Sequence, residues 1–220
     1  MKNPFKRKSK QPEYPKYWSD YEALFNEKPS YDFNDTRFVV FDTETTGFDY
    51  EKDRVLSIGA VEIYKNEINV SNVFEIYLQQ ERFNEKTVAI HGILRQERIK
   101  TFSEVEALTQ FLKYIGNSVL VAHHVGFDVN MINQMLWRQN LPKLKNKVVD
   151  TVKLYKATRI KSNLIKQDNF TLDEIAENYA LDVSDRHTSA GDAYITSIIF
   201  LKTIASLSKK KNFRLKRYMR

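Results

Sequence analysis

The run Phe38-Val39-Val40-Phe41-Asp42-Thr43-Glu44-Thr45-Thr46-Gly47 decides how this chain is read. Four consecutive apolar residues with β-branched members predict a buried strand. Side chains alternate faces along a strand, so Asp42 and Glu44 project from the same side. Two carboxylates that close cannot both ionise cheaply in a partly dry site unless a cation neutralises them, which makes the pair half of a metal site. Gly47 ends the strand where backbone must approach a ligand closely.

Around that run, 220 residues with 42% hydrophobic content suffice for one substantial core. The organisation expected is a basic then aromatic-rich extension over 1–35, one catalytic domain over 36–206 and a basic tail over 207–220. Absence of cysteine excludes a disulfide framework and thiolate zinc sites, leaving oxygen ligands that favour magnesium or manganese. The basic first ten residues lead into no apolar stretch, and no membrane span is expected. A cytoplasmic protein is the expectation.

The net charge of +7 is unevenly placed. Residues 1–10 carry 5 basic side chains and residues 209–220 carry 7, with no acidic residue in either segment. Removing those 12 from the 35 Lys and Arg leaves 23 against 28 Asp and Glu, a net of −5 for the middle of the chain. A polyanion would meet an acidic centre that needs cations, flanked by two arms suited to phosphates.

Tyr17, Trp18, Tyr21, Leu24 and Phe25 fall at helical spacing, and Tyr14 precedes them. This amphipathic segment either packs on the domain or docks on a partner protein such as a polymerase or replication factor. Residues 54–64 and 68–78 read as strands around a turn at Lys65-Asn66-Glu67, forming an antiparallel unit with the first strand. Ser103 with Glu106 is a capping box opening a helix to about Tyr114, with Val105, Leu108, Phe111 and Leu112 inward. Residues 118–122 form a short buried strand, followed by a helix from about Phe127 with Met131, Ile132, Met135 and Leu136 on its apolar stripe. Asp150 is an N-cap for 151–158, and Thr171 with Glu174 is a second capping box. A long helix over 188–206 has Ala190, Ala193, Tyr194, Ser197, Ile198, Leu201 and Ala205 at the 3.6 period. The alternation predicts an α/β fold, a mixed sheet with helices on both faces.

Asp128 and Asp192 stand at the starts of two of these helices, where each alone could be a charge complementing the helix dipole or a solvated residue. Together with Asp42 and Glu44 they fall into three segments: Asp42-Thr43-Glu44-Thr45-Thr46-Gly47, Val121-Ala122-His123-His124-Val125-Gly126-Phe127-Asp128 and His187-Thr188-Ser189-Ala190-Gly191-Asp192. These segments, in order, resemble the three motifs of the DEDDh 3′–5′ exonucleases, the family that includes the proofreading subunit of bacterial replicative DNA polymerases. The resemblance spans residues 36–206 and extends to His91-Gly92-Ile93 and Asp150-Thr151. It implies a ribonuclease-H-like fold with a mixed five-stranded sheet. It departs at His124, where the family usually has asparagine; a buried, satisfied histidine is expected there, without a catalytic role.

The resemblance also implies a reaction and a division of labour. Two divalent cations, Mg²⁺ or Mn²⁺, would sit on Asp42, Glu44, Asp128 and Asp192, with Asp42 shared between them and Asp128 assisting on the second side. His187 would be general base on the attacking water, as imidazoles change protonation near neutral pH. Glu44 would also reach the terminal 3′-hydroxyl; the backbone of Thr45, Thr46 and Gly47 would lie against the terminal nucleotide, and His91 with Ile93 or Leu94 would line its pocket. The expected partner is a single-stranded or frayed DNA 3′ end, released as nucleoside 5′-monophosphates in proofreading or repair. An RNA-trimming exoribonuclease and a catalytically inactive nucleic-acid-binding module are the alternatives. The C-terminal run, with Phe213, Leu215, Tyr218 and Met219 between cations, reads as a solvated tail with non-specific phosphate attraction.

Overall fold

A computed structural model describes residues 13–27, 31–80, 100–159 and 170–220. Among these residues six strands form one mixed sheet: β1 (Phe38–Thr45), β2 (Val55–Tyr64), β3 (Glu67–Leu78), β4 (Thr101–Phe102), β5 (Val119–Ala122) and β6 (Val148–Asp150). Their order is β4-β3-β2-β1-β5-β6. β1, β2 and β3 are antiparallel neighbours, whereas β5 lies parallel to β1 and β6 parallel to β5. The ribonuclease-H-like mixed sheet is as expected, with one strand more than five. β4 is two residues long and parallel to the end of β3, too short to carry a periodicity.

Local chemistry explains the elements. Lys65 and Asn66 both have positive φ, 51° and 66°, the conformation of a two-residue type I′ hairpin that matches strand twist. Helix α2 (Glu104–Ile115) opens with the reciprocal Ser103–Glu106 capping box, and α5 (Leu172–Asn178) opens the same way at Thr171–Glu174. Between them lie α3 (Gly126–Arg138) and α4 (Thr151–Thr158), whose N-cap Asp150 accepts from Val152 N. The last α-helix, α6 (Ser189–Ser208), is capped by Thr188.

The alternation of β1 sets the two cores. Val39 and Phe41 join the cluster built with Phe111 of α2 and Met131 and Met135 of α3, while Phe38 and Val40 join Phe200, Ile204 and Leu207 of α6 on the other face. Asp42 and Glu44 continue the α6-facing row, and Thr43 continues the α3-facing row.

Several expectations are corrected here. Val105 is 39% exposed; Ala107, Leu108, Phe111, Leu112 and Ile115 form the inner face of α2. The helical stripe proposed for α6 is rotated from the true one: Asp192, Thr196, Ile199 and Thr203 are buried, while Tyr194 and Ala205 face out. Elements pack on more than one side of this helix, so its periodicity is flattened. By length and composition α6 is long and apolar enough to cross a membrane, but most of it is buried inside the fold as a core helix.

The aromatic N-terminal segment packs on the domain. Helix α1 (Lys16–Ala23) buries Trp18 and Tyr21 in the α2–α3 core, and the Tyr21 hydroxyl donates to Asn146 Oδ1 at 2.6 Å while accepting from Lys145 N at 2.8 Å. The partner contact expected across Tyr14 to Phe25 loses its central aromatics to this packing. The C-terminal run is docked, not solvated: Leu215 is buried, and Arg220 exchanges backbone hydrogen bonds of 3.1 and 3.3 Å with Val148 on the free edge of β6. His91, Ile93 and Leu94 lie outside the described residues.

Candidate functional site

β1 delivers Asp42 and Glu44 toward the first turn of α6, where Asp192 is buried. One carboxylate oxygen from each of the three lies within 4.8 Å of the others. This approach depends on β2. Gly59 pairs with Asp42 across the sheet, and a Cβ built on it would lie 2.1 Å from Ala190 N and from the Ser189 carbonyl carbon. A glycine at this position lets the start of α6 rest directly on the strand. The adjacent Ser57 Oγ bonds Ser189 Oγ at 3.0 Å, fixing the same crossing.

Electrostatics follow from the crowding. Asp42 is held well above the usual carboxylate range by burial first and then by the charges of Asp128, Asp192 and Glu44. Glu44 is pushed up to about 7 by burial and by Asp192. Arg186 opposes both shifts. Its guanidinium pairs with Asp192 and, through Nε at 2.6 Å, with Asp173.

Asp128 is 3% exposed at the start of α3, and one of its oxygens accepts from Thr43 N at 3.0 Å and Thr43 Oγ1 at 2.8 Å. Burial raises it to about 7, partly offset by those two donors. The sequence placed Asp128 among the ligands; the structure brings its charge beside Asp42, while the mutually close trio is Asp42, Glu44 and Asp192.

His187 is exposed, with φ of 68°, and its backbone N–H donates to Asp192 Oδ1 at 3.3 Å. Thr188 Oγ1 accepts from Gly191 N at 3.0 Å, so the turn carrying His187 is joined to the helix carrying Asp192. The two histidines of the second motif differ. His123 is inserted between Thr151 Oγ1 (3.1 Å) and the Phe170 carbonyl (3.0 Å), and burial lowers it to about 4, so it is a neutral structural group. His124, expected to be buried, is exposed in the left-handed region at φ 59°, where an asparagine would sit comfortably.

Thr45 and Thr46 are buried, Thr45 Oγ1 bonding the Gly47 carbonyl at 2.8 Å and Thr46 Oγ1 bonding Asp53 at 2.8 Å. A Cβ on Gly47 would meet the Asp53 carboxylate at 2.4 Å. The glycine here accommodates Asp53, a reason additional to ligand approach. Sequence reasoning missed Arg186, Thr43, Gly59 and Asp53. Only Arg186, beside a motif histidine, carried any signal, and it was a bare charge.

The donor set fits a hard divalent cation, since all three clustered groups are carboxylates and their mutual repulsion is what a bound cation relieves. Residues 39–200 match the family described as RNase_T, Exonuclease. The chain is 32% identical over 176 residues to the DNA polymerase III subunit epsilon of Aquifex aeolicus, covering 79% of this chain and 83% of that one. It is 30% identical to the PolC-type DNA polymerase III of Thermotoga petrophila, covering 82% of this chain but 13% of that much longer one. Among solved structures, E. coli exonuclease I in complex with a dA16 oligonucleotide superposes with a TM-score of 0.67 at 17% identity, over 79% of this chain and 42% of that one. Exonuclease X in complex with 5′ overhanging duplex DNA gives 0.61 at 18% identity, over 82% and 96%.

Proposed function

The chain belongs to the RNase_T exonuclease family, and from that premise we propose that it removes nucleotides from the 3′ end of DNA as nucleoside 5′-monophosphates. The observation that carries the reading is the convergence of Asp42, Glu44 and Asp192 within 4.8 Å, with the exposed His187 joined to Asp192 through its backbone N–H. DNA is favoured over RNA by the relatives, which are DNA polymerase III polypeptides, and by neighbours solved with DNA. Proofreading beside a polymerase is the corresponding cellular role.

Asp42, Glu44, Asp128 and Asp192 would hold two divalent cations, Mg²⁺ or Mn²⁺, with Asp128 assisting on the second side. Bound cations supply neutralisation of the phosphodiester and in-line placement of attacking and leaving oxygens. His187 takes the proton from the attacking water, its position outside the packed helix giving the imidazole room to meet it. Glu44 orients the terminal 3′-hydroxyl, and the backbone at Thr45, Thr46 and Gly47, held by the Thr46–Asp53 bond, forms a rigid floor for the last nucleotide.

The test is digestion of matched 3′-labelled single-stranded DNA, mismatched duplex DNA and RNA with Mg²⁺ or Mn²⁺. Wild type should shorten DNA stepwise from the 3′ end, and Asp42→Ala should not. His187→Ala should lose on the order of 10²–10⁴-fold in turnover, the usual contribution of a positioned base, with an unchanged melting temperature. Faster digestion of RNA would overturn the DNA assignment, and an inert wild type that still binds oligonucleotide would make this a binding module.

A further inference from the structure

The loop after β1 and the outer face of α3 form an aromatic surface that the hydrolytic residues do not use. Phe48, directly after Gly47, is 80% exposed, and its ring lies 5.8 Å from that of Phe127, the neighbour of Asp128. Phe127 in turn lies 5.7 Å from Tyr50. Tyr50 then forms one wall of a cleft of about 310 Å³ whose other lining includes Asn130, Asn133, Gln134, Trp137 and Lys143. Asn130, Asn133, Gln134 and Trp137 are spaced i, i+3, i+4 and i+7, one face of α3. Trp137 is 70% exposed at the far end, about 15 Å from Phe127 by helical rise.

We propose that this cleft between Tyr50 and Trp137 is a stacking subsite for an unpaired base of the single strand that enters the hydrolytic site, several nucleotides upstream of its 3′ end. The proposal rests on the exonuclease reading and adds to it a contact with the strand upstream of the bond that is cut. Several features select a nucleobase as the occupant. The rings of Tyr50 and Trp137 offer π surfaces, which every base matches regardless of sequence. Side-chain amides carry both donor and acceptor and suit the edges of any base; Asn133 is steadied by Leu144 N–H donating to its Oδ1 at 2.9 Å. Lys143 adds a cation for the accompanying phosphate. The volume sits at the small end of ligand pockets, matching one ring system with its sugar and not a docked helix. Finally, the ring contacts Phe48–Phe127 and Phe127–Tyr50 lead from the residues flanking Gly47 and Asp128 to the wall of the cleft.

The chain's two tryptophans make the test direct, because Trp18 is 0% exposed and Trp137 reports alone to solvent. With the full-length Asp42→Ala protein in EDTA, an oligothymidylate long enough to span α3 should quench Trp137 fluorescence, and a dinucleotide should not. In the otherwise wild-type protein, Trp137→Ala should weaken the long oligothymidylate roughly tenfold or more in KM, the scale of removing one base stack. It should leave dinucleotide hydrolysis unchanged, and Trp137→Phe should restore most of the difference. Absence of quenching, or an equal effect of Trp137→Ala on both substrates, overturns the subsite. Fluorescence that responds to protein concentration instead of oligonucleotide would make this face a contact between copies and would equally reject it. If wild type hydrolyses neither substrate while the long oligothymidylate still quenches, the exonuclease reading fails and the stacking subsite stands.

Discussion

Arg186 is ion-paired with Asp192, and through its Nε and Nη2 it grips both oxygens of Asp173 at 2.6 and 3.2 Å. One guanidinium therefore ties the loop before α6, the first turn of α6 and the first turn of α5 into a single unit. Asp192 is the buried end of this bridge and Asp173 the solvent end. Because Arg186 also opposes the upward shifts of Asp42 and Glu44, it is both a mechanical clamp and the counter-charge that lets the carboxylates pack together.

Replacing Arg186 by alanine should lower stability in EDTA at pH 8 by about 2–4 kcal/mol, since a buried carboxylate loses its partner. The stabilisation gained on adding Mg²⁺ should be larger than in wild type, because more repulsion remains to be relieved. Arg186→Lys should recover only part of the loss, as an ammonium keeps the charge but not the fork that spans two carboxylates. Thermal melts with and without Mg²⁺ check this; an Arg186→Ala protein as stable as wild type in EDTA would remove the clamp.

The raised carboxylates give a stability profile of unusual sign. Glu44 and Asp128 titrate near 7 in the fold, far above their ordinary range. Below that ordinary range both states are protonated and the groups contribute nothing. As pH climbs toward 7 the unfolded chain releases these protons while the fold retains them, so unfolding becomes easier, and the effect levels off above 7. In EDTA the melting temperature attributable to these groups should therefore fall with rising pH. Glu44→Gln should flatten the fall and melt higher than wild type at pH 8, while losing hydrolysis. Added Mg²⁺ should also flatten it, by favouring the ionised form. A steeper fall in Glu44→Gln would contradict the assignment.

Much of this arrangement was readable in advance, for identifiable reasons. The strand ending in Asp42 and Glu44, the capping boxes at Ser103 and Thr171 and the Lys65-Asn66 hairpin are local, each encoded within a few residues. The approach of Asp128 to Asp42 was not local: it follows from Thr43, whose N–H and hydroxyl both donate to the Asp128 carboxylate from the strand that carries Asp42. His123 and His124 are neighbours with opposite fates, decided by a left-handed backbone at the second that periodicity does not encode. The C-terminal residues read as solvated because cations dominate them, yet Leu215 and the Arg220–Val148 pairing dock them against distant parts of the chain.

That docking separates two consequences of altering the C-terminal run. Deleting residues 213–220 should lower the melting temperature, since it uncovers the core beneath Leu215 and unpairs the edge of β6. Replacing the exposed Lys209, Lys211 and Arg217 by glutamine should leave the melt unchanged. If those cations meet phosphates, the slope of log affinity for single-stranded DNA against log salt should shrink by about 0.7 for each phosphate that is no longer neutralised. Fluorescence titrations across a salt series measure it, and an unchanged slope would assign the run a purely structural role.

Gly59 offers the sharpest test of how the fold sets the site. An alanine methyl there would have to displace backbone of Ser189 and Ala190, not a flexible side-chain end, so the start of α6 must move away from β2. Overpacking of this kind costs about 1–3 kcal/mol or more. Because Asp42 lies opposite Gly59 and Asp192 lies two residues beyond Ala190, the same displacement should widen the carboxylate cluster. Gly59→Ala should therefore lose most of the thermal stabilisation that Mg²⁺ confers on wild type, and hydrolysis with it, at temperatures where circular dichroism shows the variant still folded. Gly126→Ala is the matched control: its added methyl meets nothing within 4 Å at the start of α3, and helix propensity favours alanine. It should keep the full Mg²⁺ response. Equal responses from the two variants would mean that the Gly59 crossing does not position Asp192.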